Sequence, residues 1–558
     1  MDRGRLALAL AAVAMVAAPA SAEAPDLAGP LPPPRLVVVI AVDQFAADLF
    51  AEYRARFTGG LARLAGGAVF PSAYQSHAAT ETCPGHSTLL TGVHPARSGV
   101  VANTWFDPGF TARADRKIYC AEDERDPASS VARPVVSAVH LRVPTLGEYL
   151  KAADPRSRNV AVSAKDRAVV MMGGHAIDAA YWYNRGRFVS FRDRTPSPAV
   201  QAGNAALERA IAAGAPAFAA PAWCADRVRR VVAGKAGTVG EGRFAVAPAQ
   251  ADAFRTSPRM DAATLDLAER LAGEMKLGRG PAPDILSISL SATDYVGHAY
   301  GTQGLEMCIQ LAELDRALGR FLTRLDATRI DYQVILTADH GGLDLPERLT
   351  EQALPGAMRA DPALAPGTLG KALAAEVGVT VDGPLLFADG PAGDLYLSRA
   401  LDQAQRARVL AALLARLHAS PQVAAAFTAP ELAALPMPGG SPQDWTLAQR
   451  ARASFDPQRS GDVVVLLARD VVPILAPGPG YVATHGSPWD YDRRVPLLFW
   501  RKGPPGYRQP GFEQSAPVDT VDIAPTLAAI LHLSVPPGSF DGRCLDTDGT
   551  AVDTCSGR

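Results

Sequence analysis

The chain has 558 residues, 48% hydrophobic and 20% charged, with 55 Lys and Arg against 57 Asp and Glu for a formal net charge of -2. That length exceeds what one hydrophobic core usually needs, so one large domain with big insertions, or two domains, is expected. The near-neutral balance excludes a global field that recruits nucleic acid or anionic membrane, and leaves a polyanionic ligand to be drawn by local charge, metal included.

The N-terminus reads as a processing signal. Arg3 and Arg5 precede an apolar run from Leu6 to Ala18, and Ala20-Ser21-Ala22 is a small-x-small cleavage site. The run is short and Ala-rich for an anchor, and no later stretch reaches spanning length without charges. Residues 1–22 are therefore predicted to be a signal peptide, leaving a periplasmic or secreted chain of residues 23–558 with no membrane span.

After a Pro-rich leader, Leu36 to Val42 is a continuous β-branched run, the pattern of a strand buried on both faces. Similar runs recur at Asn159 to Ser163, Ile285 to Leu290, Gln333 to Thr337, Val463 to Leu467 and Val495 to Trp500. Helical spacing of apolar residues marks Ala262 to Met275, Leu305 to Leu325 and Leu401 to Leu417. Strand–helix alternation predicts an α/β sandwich with a mostly parallel central sheet and helices on both faces. Two intervals, about 173–261 and about 343–462, lack that alternation. They read as insertions that form lids or caps, or plain decoration.

Six cysteines, at 83, 120, 224, 308, 544 and 555, suit an oxidising compartment and show no C-x-x-C spacing for zinc. Six allow 15 pairings. Cys544 and Cys555 flank a short polar loop and are the favoured pair; Cys83–Cys120 and Cys224–Cys308 follow only from order along the chain.

The polar residues follow the strands. Asp43 comes after the first, Lys165 after the second, Asp294 after the third, and Asp339 with His340 after the fourth. In open α/β sheets, ligands bind beyond the carboxyl ends of the strands. Asp294 and His298 are four apart, so one helical turn places both on one face. With Asp43 and His485 the set reaches three carboxylates and three imidazoles, enough for two divalent ions, and the histidines favour zinc over magnesium. Thr82 sits before Pro84 and is expected to cap a short helix from Cys83 to Thr91, closed by Gly92. Its hydroxyl would then lie in the positive field of a helix N-terminus, where a bound metal could make it a nucleophile. Lys165 and Arg167, two apart in an extended segment, would project to one side and supply fixed charge to phosphoryl oxygens. Asn103 offers an amide donor, and Trp105 could flank a leaving group.

Thr82-x-Pro84-x-His86, Gly99-x-x-x-Asn103 and Lys165-Asp166-Arg167 occur in the order seen in the alkaline phosphatase superfamily. The chain resembles its type I phosphodiesterase/nucleotide pyrophosphatase-like branch, and within it the threonine-nucleophile bacterial alkaline phosphatases. The resemblance runs from about Leu36 to Leu531. It implies an alkaline-phosphatase-like fold and two Zn2+ per subunit. One zinc would be held by Asp294, His298 and His485, the other by Asp43, Asp339, His340 and the Thr82 oxygen. It also implies Asn103, Lys165 and Arg167 on the phosphoryl oxygens, with the Lys-x-Arg pair favouring monoesters. Sulfatases fit less well, because Pro84 comes one place too early for their motif and no Arg follows it. The expectation is a secreted phosphomonoesterase acting on small-molecule phosphate monoesters, monomeric and without a nucleic-acid partner. A phosphodiesterase of the same superfamily and a non-catalytic metal- or phosphate-binding protein are the alternatives.

Overall fold

A computed structural model describes residues 32–242, 244–507, 509–548 and 554–555. The expected signal peptide lies outside these residues. Leu36–Val42 forms a strand whose seven side chains are all buried. Since strand side chains alternate between faces, a strand buried at every position must be covered on both. The same holds for Asn159–Ser163, Asp284–Leu290 and Tyr332–Thr337.

These strands build the centre of a ten-stranded sheet. Five neighbours run parallel in the order Tyr332–Thr337, Leu36–Val42, Asp284–Leu290, Asn159–Ser163, Ala179–Asn184. On one side Arg494–Arg501 and Ala68–Tyr74 extend the sheet in antiparallel fashion, and on the other Arg187–Val189 does so. Helices pack in two groups. Gly60–Leu64 and Arg259–Glu274 both contact Leu305–Ala327, and Thr82–Thr91 contacts Asp166–Gly173 and Ile523–Ile530. The expected mostly parallel α/β architecture is what forms.

Two expectations about the periphery change. Val463–Leu467 is a strand, but not of the central sheet: it pairs with Gly393–Leu397 and Val423–Thr428 in a separate four-stranded sheet. That sheet and the helices Pro366–Val377 and Gln403–Ala419 share their own apolar cluster, including Leu373, Leu395, Val409, Leu413 and Val465. Its core is separate from the main one, and the apolar run marks only that the strand is buried, not which sheet it joins. The earlier interval is less of an insertion than its irregular pattern implied, because Ala179–Asn184 rejoins the main sheet. Its Tyr181, Trp182 and Tyr183 are buried there.

All six cysteines are paired, Cys83–Cys120, Cys224–Cys308 and Cys544–Cys555. No helix among the described residues is long and apolar enough to cross a membrane.

Candidate active site

The parallel strands end together, and their next residues meet. Asp43 directly follows Val42, Lys165 lies just past Ser163, Asp294 past Leu290, and Asp339 past Thr337. All four side chains are buried. Asp294 and His298 share the helix Ala292–Tyr300, one turn apart as expected. His340 and His485 come from loops, and their rings stack with centroids 3.6 Å apart.

Thr82 reaches this cluster from the helix Thr82–Thr91. Gly85 allows the approach, since a Cβ there would collide with the Asp339 carbonyl. The helix ends at Gly92 in the left-handed conformation, as expected. The capping role does not hold. Thr82 is the first helical residue, Glu81 stands at the cap position, and no side chain caps the helix. The Thr82 hydroxyl is engaged elsewhere: its Oγ1 accepts from Lys165 Nζ and from Arg167 Nη2, each at 3.3 Å. Lys165 and Arg167 are likewise not in an extended segment. They sit at the N-cap and second position of the helix Asp166–Gly173, and that turn aims both at Thr82.

Asn103 is held on three sides. Its N–H donates to Glu81 Oε2 at 2.8 Å, its Oδ1 accepts from the Cys83 N–H at 2.8 Å, and its carbonyl accepts from Cys120 N–H at 3.0 Å. The Cys83–Cys120 disulfide closes the same frame. Trp105 does not face a leaving group. It is buried, with its ring 4.8 Å from that of His140 and the Arg459 guanidinium over it.

The ligand-type atoms form two overlapping clusters, Asp43 with Asp339 and His340, and Asp294 with His340 and His485. His298 Nε2 lies 3.2 Å from Asp294 Oδ1, and His485 Nε2 lies 3.4 Å from the same oxygen. Each imidazole is oriented alike. Nδ1 of His298 faces the Ala483 carbonyl, that of His340 the Gly341 carbonyl, and that of His485 the Thr80 carbonyl, all at 2.8 Å. A backbone carbonyl accepts only a hydrogen, so Nδ1 carries the proton and Nε2 keeps its lone pair for the cluster. Burial lowers the basicity of His340, to a pKa of about 3, and also lowers that of His485. Both rings are then neutral, the form that binds a metal.

The carboxylates are crowded. Burial raises the Asp43 carboxyl well above its usual range, and the Asp294 and Asp339 charges push the same way. Burial also opposes the charge on Asp294, but Lys165 and His298 outweigh it and hold that carboxyl well below the usual range. Lys165 Nζ bridges Asp43 at 2.6 Å and Asp294 at 2.5 Å. An ammonium among buried carboxylates marks a place that demands cations. Among the described residues, Asp43 Oδ1 and His340 Nε2 are buried without a hydrogen-bond partner, and Asp294 Oδ1 faces only the unprotonated Nε2 atoms of His298 and His485. Such atoms are costly to bury unless something coordinates them. The donor set therefore fits divalent metal.

The Type I phosphodiesterase / nucleotide pyrophosphatase family profile matches residues 37–488. The chain belongs to this family. It is 50% identical over 529 residues to alkaline phosphatase PhoK of Sphingomonas sp, covering 94% of this chain and 93% of that relative. It is 47% identical over 530 residues to alkaline phosphatase PhoD of Zymomonas mobilis, covering 93% and 89% respectively. Its fold is similar to the crystal structure of alkaline phosphatase PafA, with a TM-score of 0.79 at 24% identity, over 93% of this chain and 100% of that one.

Within this member of the phosphodiesterase family, two residues at the centre carry no role in the sequence reading. His86 appears there only as part of a motif. Its Nδ1 lies 3.0 Å from Asp339 Oδ2 and 2.9 Å from the Thr82 carbonyl, and its Nε2 lies 3.0 Å from Ser289 Oγ. Its spacing of four from Thr82 on a helix was the available signal. Gln44, whose N–H donates to Asp339 Oδ1 at 3.1 Å, had only its place after Asp43 to mark it.

Proposed function

We propose that this chain is a secreted, two-zinc alkaline phosphatase that hydrolyses phosphate monoesters through a covalent phosphothreonine on Thr82. It is a phosphoric monoester hydrolase, as its relatives named alkaline phosphatases indicate. The observation that carries the finer reading is the position of Thr82 Oγ1, 3.3 Å from both Lys165 and Arg167 at the edge of the carboxylate–imidazole cluster.

Asp294, His298 and His485 would hold one zinc, and Asp43, Asp339, His340 and the Thr82 oxygen the other. Bound there, zinc would favour the alkoxide form of a hydroxyl and stabilise charge on a departing oxygen. The chain's own groups do the rest. The Thr82 oxygen attacks phosphorus in line, the phosphorus–ester bond breaks, and the alcohol leaves. Water then attacks the phosphothreonine, releasing phosphate and restoring the hydroxyl. Lys165, Arg167 and the Asn103 amide hold the non-bridging oxygens. Two fixed cations suit a monoester dianion better than a diester, which carries one charge fewer and a second organic group.

Three disulfides support export, since such bonds persist in oxidising compartments. Quenching turnover of a radiolabelled aryl phosphate at low pH should leave label on Thr82, and Thr82→Ala should leave none. Full turnover by Thr82→Ala would sink the nucleophile assignment. The family profile keeps a phosphodiesterase as the second reading. Equal or better turnover of an aryl phosphodiester would favour it.

A further inference from the structure

A cavity of about 560 Å³ opens beside Lys165 and Arg167. It is lined by neither Thr82 nor any of the clustered Asp and His residues. Its charge is one-sided. Arg133, Lys165, Arg167, Arg185, Arg192 and Arg255 line it, against Asp166 as the one carboxylate among the described lining residues. Asp166 is already engaged, accepting from Tyr119 Oη at 2.6 Å and from the Arg167 N–H at 2.7 Å. Arg192 is paired with Asp126 at 2.7 Å. Among the described residues, the one ion pair of Arg255 is a 3.7 Å contact to the exposed Asp252. Arg133 and Arg185 form no ion pair among the described residues, and both are exposed.

The deeper lining carries unused hydrogen-bond donors. Among the described residues, the Arg167 Nε, Arg255 Nε and Ser190 Oγ atoms are buried without a hydrogen-bond partner. Tyr295 fixes the wall between the cations, with Lys165 Nζ 5.4 Å and the Arg255 guanidinium 4.8 Å from its ring centroid. Buried guanidinium and hydroxyl donors facing a cation-lined space call for an oxyanion. A net charge of -2 for the whole chain makes the concentration of cations here a local feature.

We propose that this cleft is a second anion subsite that holds a further phosphate while a phosphoryl group occupies Thr82. Arg167 links the two places, since its Nη2 reaches the Thr82 hydroxyl while its Nε has no hydrogen-bond partner among the described residues. The further phosphate is the distal part of an oligophosphate substrate or a free phosphate ion. For an oligophosphate the step balances simply. The Thr82 oxygen bonds the terminal phosphorus, the anhydride bond breaks, and the shortened oligophosphate leaves with the electron pair. Water then frees the phosphate. This inference rests on the phosphomonoesterase reading of Thr82.

The test compares wild-type holoenzyme with the Arg133→Gln/Arg185→Gln double variant at fixed ionic strength. Both side chains are exposed, so the fold should survive. The probes are 4-nitrophenyl phosphate, inorganic tripolyphosphate and inorganic phosphate. The expected result is a KM for tripolyphosphate raised about tenfold in the variant, the size of one charge-assisted contact, with 4-nitrophenyl phosphate kinetics unchanged. If free phosphate is the occupant instead, inhibition of 4-nitrophenyl phosphate turnover by inorganic phosphate should carry a non-competitive component that the variant loses. The subsite is refuted if the variant alters neither behaviour, or weakens all three probes equally. Absence of 4-nitrophenyl phosphate turnover by wild type would instead break the monoesterase reading. Calorimetric titration of inorganic phosphate then reads the subsite directly: the variant should lose one binding event, and an unchanged stoichiometry would overturn it.

Discussion

The side-chain oxygen of Asn103 accepts the backbone N–H of Cys83 at 2.8 Å. That bond decides which end of the amide is which: Oδ1 is tied to the helix, and the NH2 group is left to donate. Asn103→Asp keeps the acceptor but replaces the donor with a charge that repels phosphate. It should lower kcat/KM for an aryl phosphate about 10²-fold or more, the usual cost of one misplaced anion-hole donor. Asn103→Ala should fall nearly as far. Unchanged steady-state kinetics in both would remove Asn103 from the phosphoryl site.

Lys165 and Arg167 converge on one oxygen from the same helical turn. Arg167→Ala should cost about 10²- to 10³-fold in kcat/KM on a monoester, as expected for a lost charge-assisted contact in a water-poor site. The loss on an aryl phosphodiester should be much smaller, because the diester offers one charged oxygen fewer. The monoester-to-diester ratio is the readout, and an equal loss on both would contradict the assignment.

Chelation should abolish turnover and zinc should restore it, with two ions per chain by elemental analysis. His86 tests the surroundings of the ligands. It supports Asp339 from behind, 3.0 Å from its Oδ2. His86→Ala should weaken zinc binding about 10- to 100-fold, as loss of an outer-shell partner does, measured by titrating the metal-free protein with zinc. Wild-type affinity in the variant would mean that Asp339 is oriented without it.

His94 predicts how stability responds to alkali. It lies between Asp541 at 3.0 Å and Asp519 at 3.4 Å, with Ser76 Oγ at 3.0 Å and the Trp445 ring beside it. Burial opposes its charge, but the bonds to Asp519 and Asp541 prevail and raise its pKa from 6.5 to about 9. The folded state thus holds this proton more tightly than the unfolded chain does. Its contribution, on the order of 3 kcal/mol, is complete below pH 6.5 and is lost as pH rises towards 9. Neighbouring His77 works in the opposite sense. Burial, with the His94 charge, lowers its pKa to about 3, so it costs stability as pH falls below 6.5. His94→Gln should flatten the decline in urea midpoint between pH 7 and pH 10. A mutant with the wild-type slope would place the alkaline loss elsewhere.

The centre of the sheet was legible because each of its strands is a mainly apolar, β-branched run with a charged residue within four positions of its end, as Asp43 follows Val42 and Asp339 follows Thr337. Asp294 and His298 were legible from helical spacing alone. Val463–Leu467 shows the limit: an apolar run reports burial but not which sheet does the burying, and here a second cluster around Leu413 covers it. Ala68–Tyr74 escaped notice because Pro71 and Ser72 interrupt its pattern where it is only half covered. Thr82 was expected to cap its helix, since local preference for a cap is all that a sequence displays. Its partners Lys165 and Arg167 lie far along the chain, and only the fold brings them to its hydroxyl. The cation-lined cleft draws Arg133, Arg185 and Arg255 from three separate segments, and no spacing rule connects them.

Leu36–Val42 is the earliest strand among the described residues and lies mid-sheet, flanked by Asp284–Leu290 and Tyr332–Thr337. During synthesis it emerges long before either neighbour exists. The sheet cannot close until the chain has been made past Thr337, and its antiparallel side must wait for Arg494–Arg501. Contacts this distant in sequence slow folding. A nascent chain would therefore stay open for most of its translation, a state suited to being threaded through a narrow pore and an invitation to chaperones.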